Sequence, residues 1–145
     1  MSVSSDIADA VATELNAAPG GTFSQEFTAV RRVLPEFKLA DLAELKVSVV
    51  PKSVEMTRST RAGAQYDIAV DIGVQKKLGK DFDTEVAALG TLVDEMADWL
   101  RGRILTQAPY GTWLSIANDP VYVPEHLAER RVFTSVLTVT YRAVK

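Results

Sequence analysis

Between Tyr66 and Val74 the chain alternates without interruption. Tyr66, Ile68, Val70, Ile72 and Val74 share one parity, and Asp67, Ala69, Asp71 and Gly73 share the other, with Gln75 continuing the polar set. Successive side chains of an extended strand point to opposite faces. This segment therefore demands a sheet with one face on a core and the other toward water or a partner. A second segment closes the chain in the same manner. From Phe133 to Val144, Phe133, Leu137, Val139 and Tyr141 fall on one face.

An apolar sheet face needs a covering layer, and two amphipathic segments provide one. In Ser5 to Asn16, Ile7, Val11 and Leu15 recur every fourth residue with Ala8 and Ala12 beside them. Ser4 or Ser5 is the expected cap, and Pro19-Gly20-Gly21 cannot continue the helix. In Asp83 to Ile104, the stripe is Val86, Leu89, Val93, Met96 or Ala97, Leu100 and Ile104. Asp83 is its expected cap, with Asp81 and Glu85 at the positive end of the helix dipole and Arg101 and Arg103 at the negative end.

The remaining elements are shorter. Thr22 to Leu34 reads as a strand, because Phe23, Phe27, Ala29 and Val33 share a parity and Pro35 closes it. Leu39, Leu42 and Leu45 fall in a partly helical connection. Lys46 to Val50 is a compact β-branched strand ended by Pro51, and Val54 to Ser59 a further one with Val54 and Met56 inward. The Arg61-Ala62-Gly63 turn leads into the alternating strand. Thr112 to Ala117 precedes an Asn118-Asp119-Pro120 turn, an extended Val121 to Val123, and a polar Pro124 to Arg131 with room for one helical turn. The expected strands lie near 22–34, 45–50, 54–59, 65–75, 112–117 and 132–144, and the helices near 5–16 and 83–104. With no repeat or linker, the order predicts one α+β domain over residues 1–145: a mostly antiparallel sheet with two helices packed on one face.

Composition removes whole function classes. Among 145 residues there is no cysteine, so thiolate metal sites, cysteine nucleophiles and disulfides are out, and the single histidine, His126, precludes a two-histidine metal motif. The net charge of −3 argues against broad capture of nucleic acid. No apolar run approaches the ~20 residues of a membrane span, and the opening Met1 to Asp6 lacks the basic and apolar regions of a signal peptide. A cytosolic protein without a cofactor is expected.

Local constellations dissolve on inspection. Asp67 and Asp71 share a strand face, but four strand residues hold their Cα atoms about 13 Å apart, too far to share an ion; a solvated face is the expectation. Asp94, Glu95 and Asp98 lie on the outer side of the long helix, facing solvent or a partner. Asp81, Asp83 and Glu85 imitate a calcium loop without its glycine and closing glutamate, so capping explains them better. Gly79-Lys80 lacks the glycine spacing of a phosphate loop, and Asp81 stands where a serine or threonine must hold magnesium. No Gly-x-Ser-x-Gly accompanies His126, which reads as a loop histidine. The pairs Arg31-Arg32, Lys76-Lys77 and Arg130-Arg131 lack interleaved aromatics and read as surface charge or complements to a protein neighbour. Trp99 and Trp113 read as core or interface anchors.

The succession Phe23 to Pro35, Leu45 to Pro51 (LKVSVVP), Tyr66 to Leu78 (YDIAVDIGVQKKL), a long helix ending MADWLRGR and a closing FTSVLTVTYR resembles the tail terminator and tail-completion proteins of tailed bacteriophages and prophages. The Asn118-Asp119-Pro120-Val121-Tyr122 approach to the last strand strengthens it, and it spans nearly the whole chain. The resemblance implies no catalytic residue and no cofactor. It implies a ring, usually of six subunits, at the head-proximal end of the tail tube, in a virion assembled in the host cytoplasm. The ring's neighbours would be the tube protein and the head completion or connector proteins, with DNA passing through the lumen ungripped. An acidic subunit lets that polyanion slide, and absent cysteines suit assembly in a reducing cytosol. Another neck or connector protein, or a small ligand-binding α+β domain, is the alternative. For the ring, Arg31, Arg32, Arg58 and Arg61 are the expected interface donors, flanking strand ends, and Asp94, Glu95 and Asp98 the acceptors.

Overall fold

The computed structural model describes residues 2–33, 43–58 and 63–144. Its elements are α1 (Val3–Asn16), β1 (Ala29–Arg31), β2 (Lys46–Arg58), β3 (Ala64–Lys77), α2 (Phe82–Leu100), β4 (Thr112–Asn118), a π-helical turn (His126–Arg130) and β5 (Val132–Val144). The strands form one sheet in the order β1-β2-β3-β5-β4. Only β1 and β2 run parallel; the other neighbours are antiparallel. The expected α+β architecture is present.

The alternation of β3 decides which face is buried. Ile68, Val70, Ile72 and Val74 are all fully buried. Across the ladders Val49, Ile72 and Leu137 stand in one row, and Val70 faces Val139. This face forms a single cluster with Ile7, Val11 and Leu15 of α1 and Leu89, Leu92, Val93, Met96 and Leu100 of α2. Each buried leucine or valine contributes about 1.5–3 kcal/mol relative to exposure. Both helices therefore cover the same face: α1 packs over β1, β2 and β3, and α2 over β5.

Several local expectations are corrected. The 22–34 strand shrinks to Ala29–Arg31. Its aromatic parity has another cause: Phe23 packs on Phe27 at 5.1 Å between ring centroids and edge-on to Trp99 at 6.3 Å. The backbone polar groups there are met by helix side chains. Asn16 pairs both ways with Ala29, at 2.8 and 2.9 Å, and Glu95 accepts from the amide and hydroxyl of Ser24. Leu34, Pro35, Leu39, Leu42, Ser59, and Arg61 and Ala62 of the expected turn lie outside the described residues.

Pro51 does not divide two strands. β2 runs through it, with Pro51 opposite Val70 and a register shift before Ser53. β1 pairs only as far as Val49, so the proline sits where β2 becomes an edge, the place a strand tolerates a missing N–H. Val54 and Met56 stand opposite Ile68 and Tyr66 on the inward parity. They are nevertheless 42% and 62% exposed, because the strand outruns its helical cover.

At the helix ends, Ser2 caps α1 in place of Ser4 or Ser5, accepting from the Ser5 amide. Asp81, not Asp83, occupies the cap position of α2, without a side-chain hydrogen bond. Glu85 reaches back to the Gly79 amide at 2.8 Å instead. α2 stops at Leu100, short of the expected Ile104. Gly102 takes a left-handed φ of 66°, and Leu105 enters the core while Ile104 stays 69% exposed. Val121 to Val123 is a loop rather than a strand, hung on β5 by the Val123 amide donating to the Thr134 carbonyl.

Candidate functional site

Among the described residues, those singled out for subunit contact lie on or beside three elements, β1, β2 and α2, and do not converge within one subunit. Arg31, at the end of β1, donates to Asp9 of α1 at 3.0 Å, and Arg32 beside it is exposed. Arg58 ends β2 at the far end of the β2–β3 hairpin and is exposed. Arg61 lies outside the described residues. On α2, Asp94 is exposed, Asp98 lies 3.9 Å from Arg101 one turn along, and Glu95 is committed to Ser24. Glu95 thus anchors the 20–27 segment to α2, and the exposed acids of this set are Asp94 and Asp98.

Asp67, Asp71, His126 and Arg131 are tied into the fold. Asp67 and Asp71 are not merely solvated. They face Arg142 and Thr138 directly across the β3–β5 ladder. Arg142 clasps Asp67 with two nitrogens at 2.9 and 3.2 Å, and the Thr138 hydroxyl donates to Asp71 at 2.6 Å. The Arg142 hydrogen bond, against some desolvation, holds the Asp67 carboxyl below its usual range and raises the guanidinium in turn. His126 begins the π-helical turn with Nδ1 2.9 Å from the Thr134 hydroxyl. Arg131, in the left-handed region at φ 52°, donates to the Gly79 carbonyl and lies over the Phe82 ring.

Sequence reasoning missed the most buried acid. Glu14, in α1, is 6% exposed. One oxygen accepts from the Thr106 amide at 3.0 Å and the other lies 3.6 Å from Arg103. Arg103 stacks on Trp99 at 3.4 Å from the ring centroid and donates to its carbonyl, and the Trp99 indole donates to the Glu14 carbonyl. This cluster locks the α2–β4 connection onto α1. The available signal was position: Glu14 stands three residues after Val11, on the apolar stripe. Nearby, burial above all, with Glu14 adding, pushes the Tyr141 hydroxyl far above its normal range.

A groove of about 1070 Å³ runs between the end of α1, the 18–28 segment and the start of β2, with Leu15, Phe23, Phe27 and Val47 beside Arg32, Lys46 and Lys76. Among the described residues no three acidic or histidine side chains gather as a metal site. No described helix is long and apolar enough to cross a membrane.

No family model matches the chain, and no curated protein matches it. Among solved structures, the fold is similar to that of a chain in the virion of a native gene transfer agent (GTA) particle. The TM-score is 0.68 with 19% identical residues, over 99% of this chain and 98% of that one. The two chains share one fold from end to end.

Proposed function

We propose that this chain is a structural virion protein. In this reading it forms a ring at the head-proximal end of a phage tail tube, stops tube growth and offers the surface on which the head completion complex docks. The observation that carries it is the end-to-end fold likeness to a virion chain, with nearly nothing left over on either side.

The details fit an assembly role. Several charged groups serve ladders and helix ties: Asp67 with Arg142, Glu14 with Arg103, Glu95 with Ser24. Exposed features include a hairpin projecting past the helices and an acidic outer side on α2. These are features for meeting neighbours.

The test is direct. Six copies of 15.8 kDa make a particle of about 95 kDa under closed symmetry. The purified protein, imaged in negative stain alone and with isolated tail tubes, is expected to give annuli of that mass or a cap at one tube end. A compact monomer that never associates with tubes, or stoichiometric metal or nucleotide in native mass spectrometry, would overturn the proposal.

A further inference from the structure

Besides β1, where Asn16 meets the Ala29 backbone, two strand edges of this sheet pair with no strand among the described residues, and they lie on opposite sides of it. β1 pairs with β2 only at 47–49, so among the described residues β2 has β3 alone beside it from residue 52 to 58, and every one of those residues is exposed. β4 pairs with β5 alone. Its seven residues, TWLSIAN, contain no charge, no proline and no glycine. Natural edges are blunted by such residues. Here the register shift at Leu114 is the one device present.

We propose that a second copy of this chain is the occupant of the β4 edge, adding the 52–58 segment of its β2. The inference rests on the ring reading and supplies its interface. Because the two edges differ, the contact is head to tail, the arrangement that generates rings when the rotation closes.

The side chains match. On the arm Val54, Met56 and Arg58 share the helix-side parity, since they stand opposite Ile68, Tyr66 and Ala64. In the receiving copy α2 lies over β5, next to β4. The flank of α2 toward α1 is fixed by Glu95 bonding Ser24 and Trp99 bonding the Glu14 carbonyl. At 3.6 residues per turn the opposite flank carries Val86, Gly90, Asp94 and Ala97, and it faces the β4 side. An arm laid along β4 sets two exposed apolar side chains against small and apolar residues. It also brings Arg58 toward Asp94, a charge complement.

The absence of cysteine makes the test clean. Glu55 and Thr57 on the arm, and Ser115 and Ala117 on β4, are exposed and lie on the side away from the helices. Two double variants, Glu55→Cys with Ser115→Cys and Glu55→Cys with Ala117→Cys, sample registers two residues apart whichever way the arm runs. After mild oxidation at high concentration, at least one is expected to give a covalent ladder from dimer upward on a denaturing gel, while each single variant stops at dimer. If light scattering shows a ring and neither double variant ladders, the pairing is wrong and the ring stands. If the wild type stays monomeric and ignores tail tubes, the ring reading falls and this one with it. An arm cysteine that captures the tube protein in place of a second copy would also overturn the assignment.

Discussion

Replacing Glu14 by alanine tests the link between the helices and the approach to β4. The carboxylate is almost fully buried, accepts from the Thr106 amide at 3.0 Å and faces Arg103 at 3.6 Å. Losing a hydrogen bond to a charged acceptor costs about 1.5–3 kcal/mol. The Arg103 side chain is about a third exposed and keeps Trp99 as a partner, so removing its carboxylate falls short of the penalty for a stranded buried charge. Together these give about 2–3 kcal/mol for Glu14→Ala. Glu14→Gln keeps an acceptor for the amide and loses the attraction to a solvated arginine, about 0.5–1 kcal/mol. With a urea m-value of roughly 2 kcal/mol/M, the midpoints should fall by about 1–1.5 M and 0.25–0.5 M respectively. Equal midpoints for the two variants would refute the claim that the Thr106 hydrogen bond holds this connection.

Leu100→Ala should cost about 3 kcal/mol and Ile104→Ala less than about 0.5 kcal/mol, since the first is fully buried and the second exposed; equal losses in chemical denaturation would move the end of α2. Asp67 titrates below its ordinary 3.8, so its pairing with Arg142 stabilises the fold fully above that value, and the contribution is lost as pH falls through the lower folded value. Arg142→Met should therefore flatten the acid limb of melting temperature against pH, and an unchanged limb would count against the pair. Arg58→Glu should weaken the ring at low salt, seen as falling particle mass in light scattering, and Asp94→Arg should restore part of it; an unchanged mass removes Arg58 from the interface.

The sheet was legible because its inner strands are amphipathic by parity alone. Tyr66 to Val74 announced both its extent and its buried face, and the same holds for Phe133 to Tyr141. The stripe of α2 was legible for the same reason at helical spacing, though Leu92 was passed over and Ile104 wrongly included. What failed depended on neighbours distant in sequence. Phe23 and Phe27 mimic strand parity while packing on each other and Trp99. Pro51 reads as a terminator until β1 is known to stop pairing at Val49. Val54 and Met56 have the inward parity but no helix above them, and no local pattern reveals where a covering layer ends. In the candidate interface, Glu95 was grouped with Asp94 and Asp98 because sequence places all three on one helix side. Only the fold shows Ser24 beneath it.

The central claim is that this fold stops tail-tube growth by closing a ring on the tube. Polymerising a phage tail-tube protein, with and without this chain, tests that claim most directly by electron microscopy of tube lengths and ends. The account predicts one annulus of about 95 kDa at a single end of each tube, and elongation that stops once it has bound. Tubes that lengthen equally in its presence, with bare ends or with the protein scattered along their sides, would contradict it.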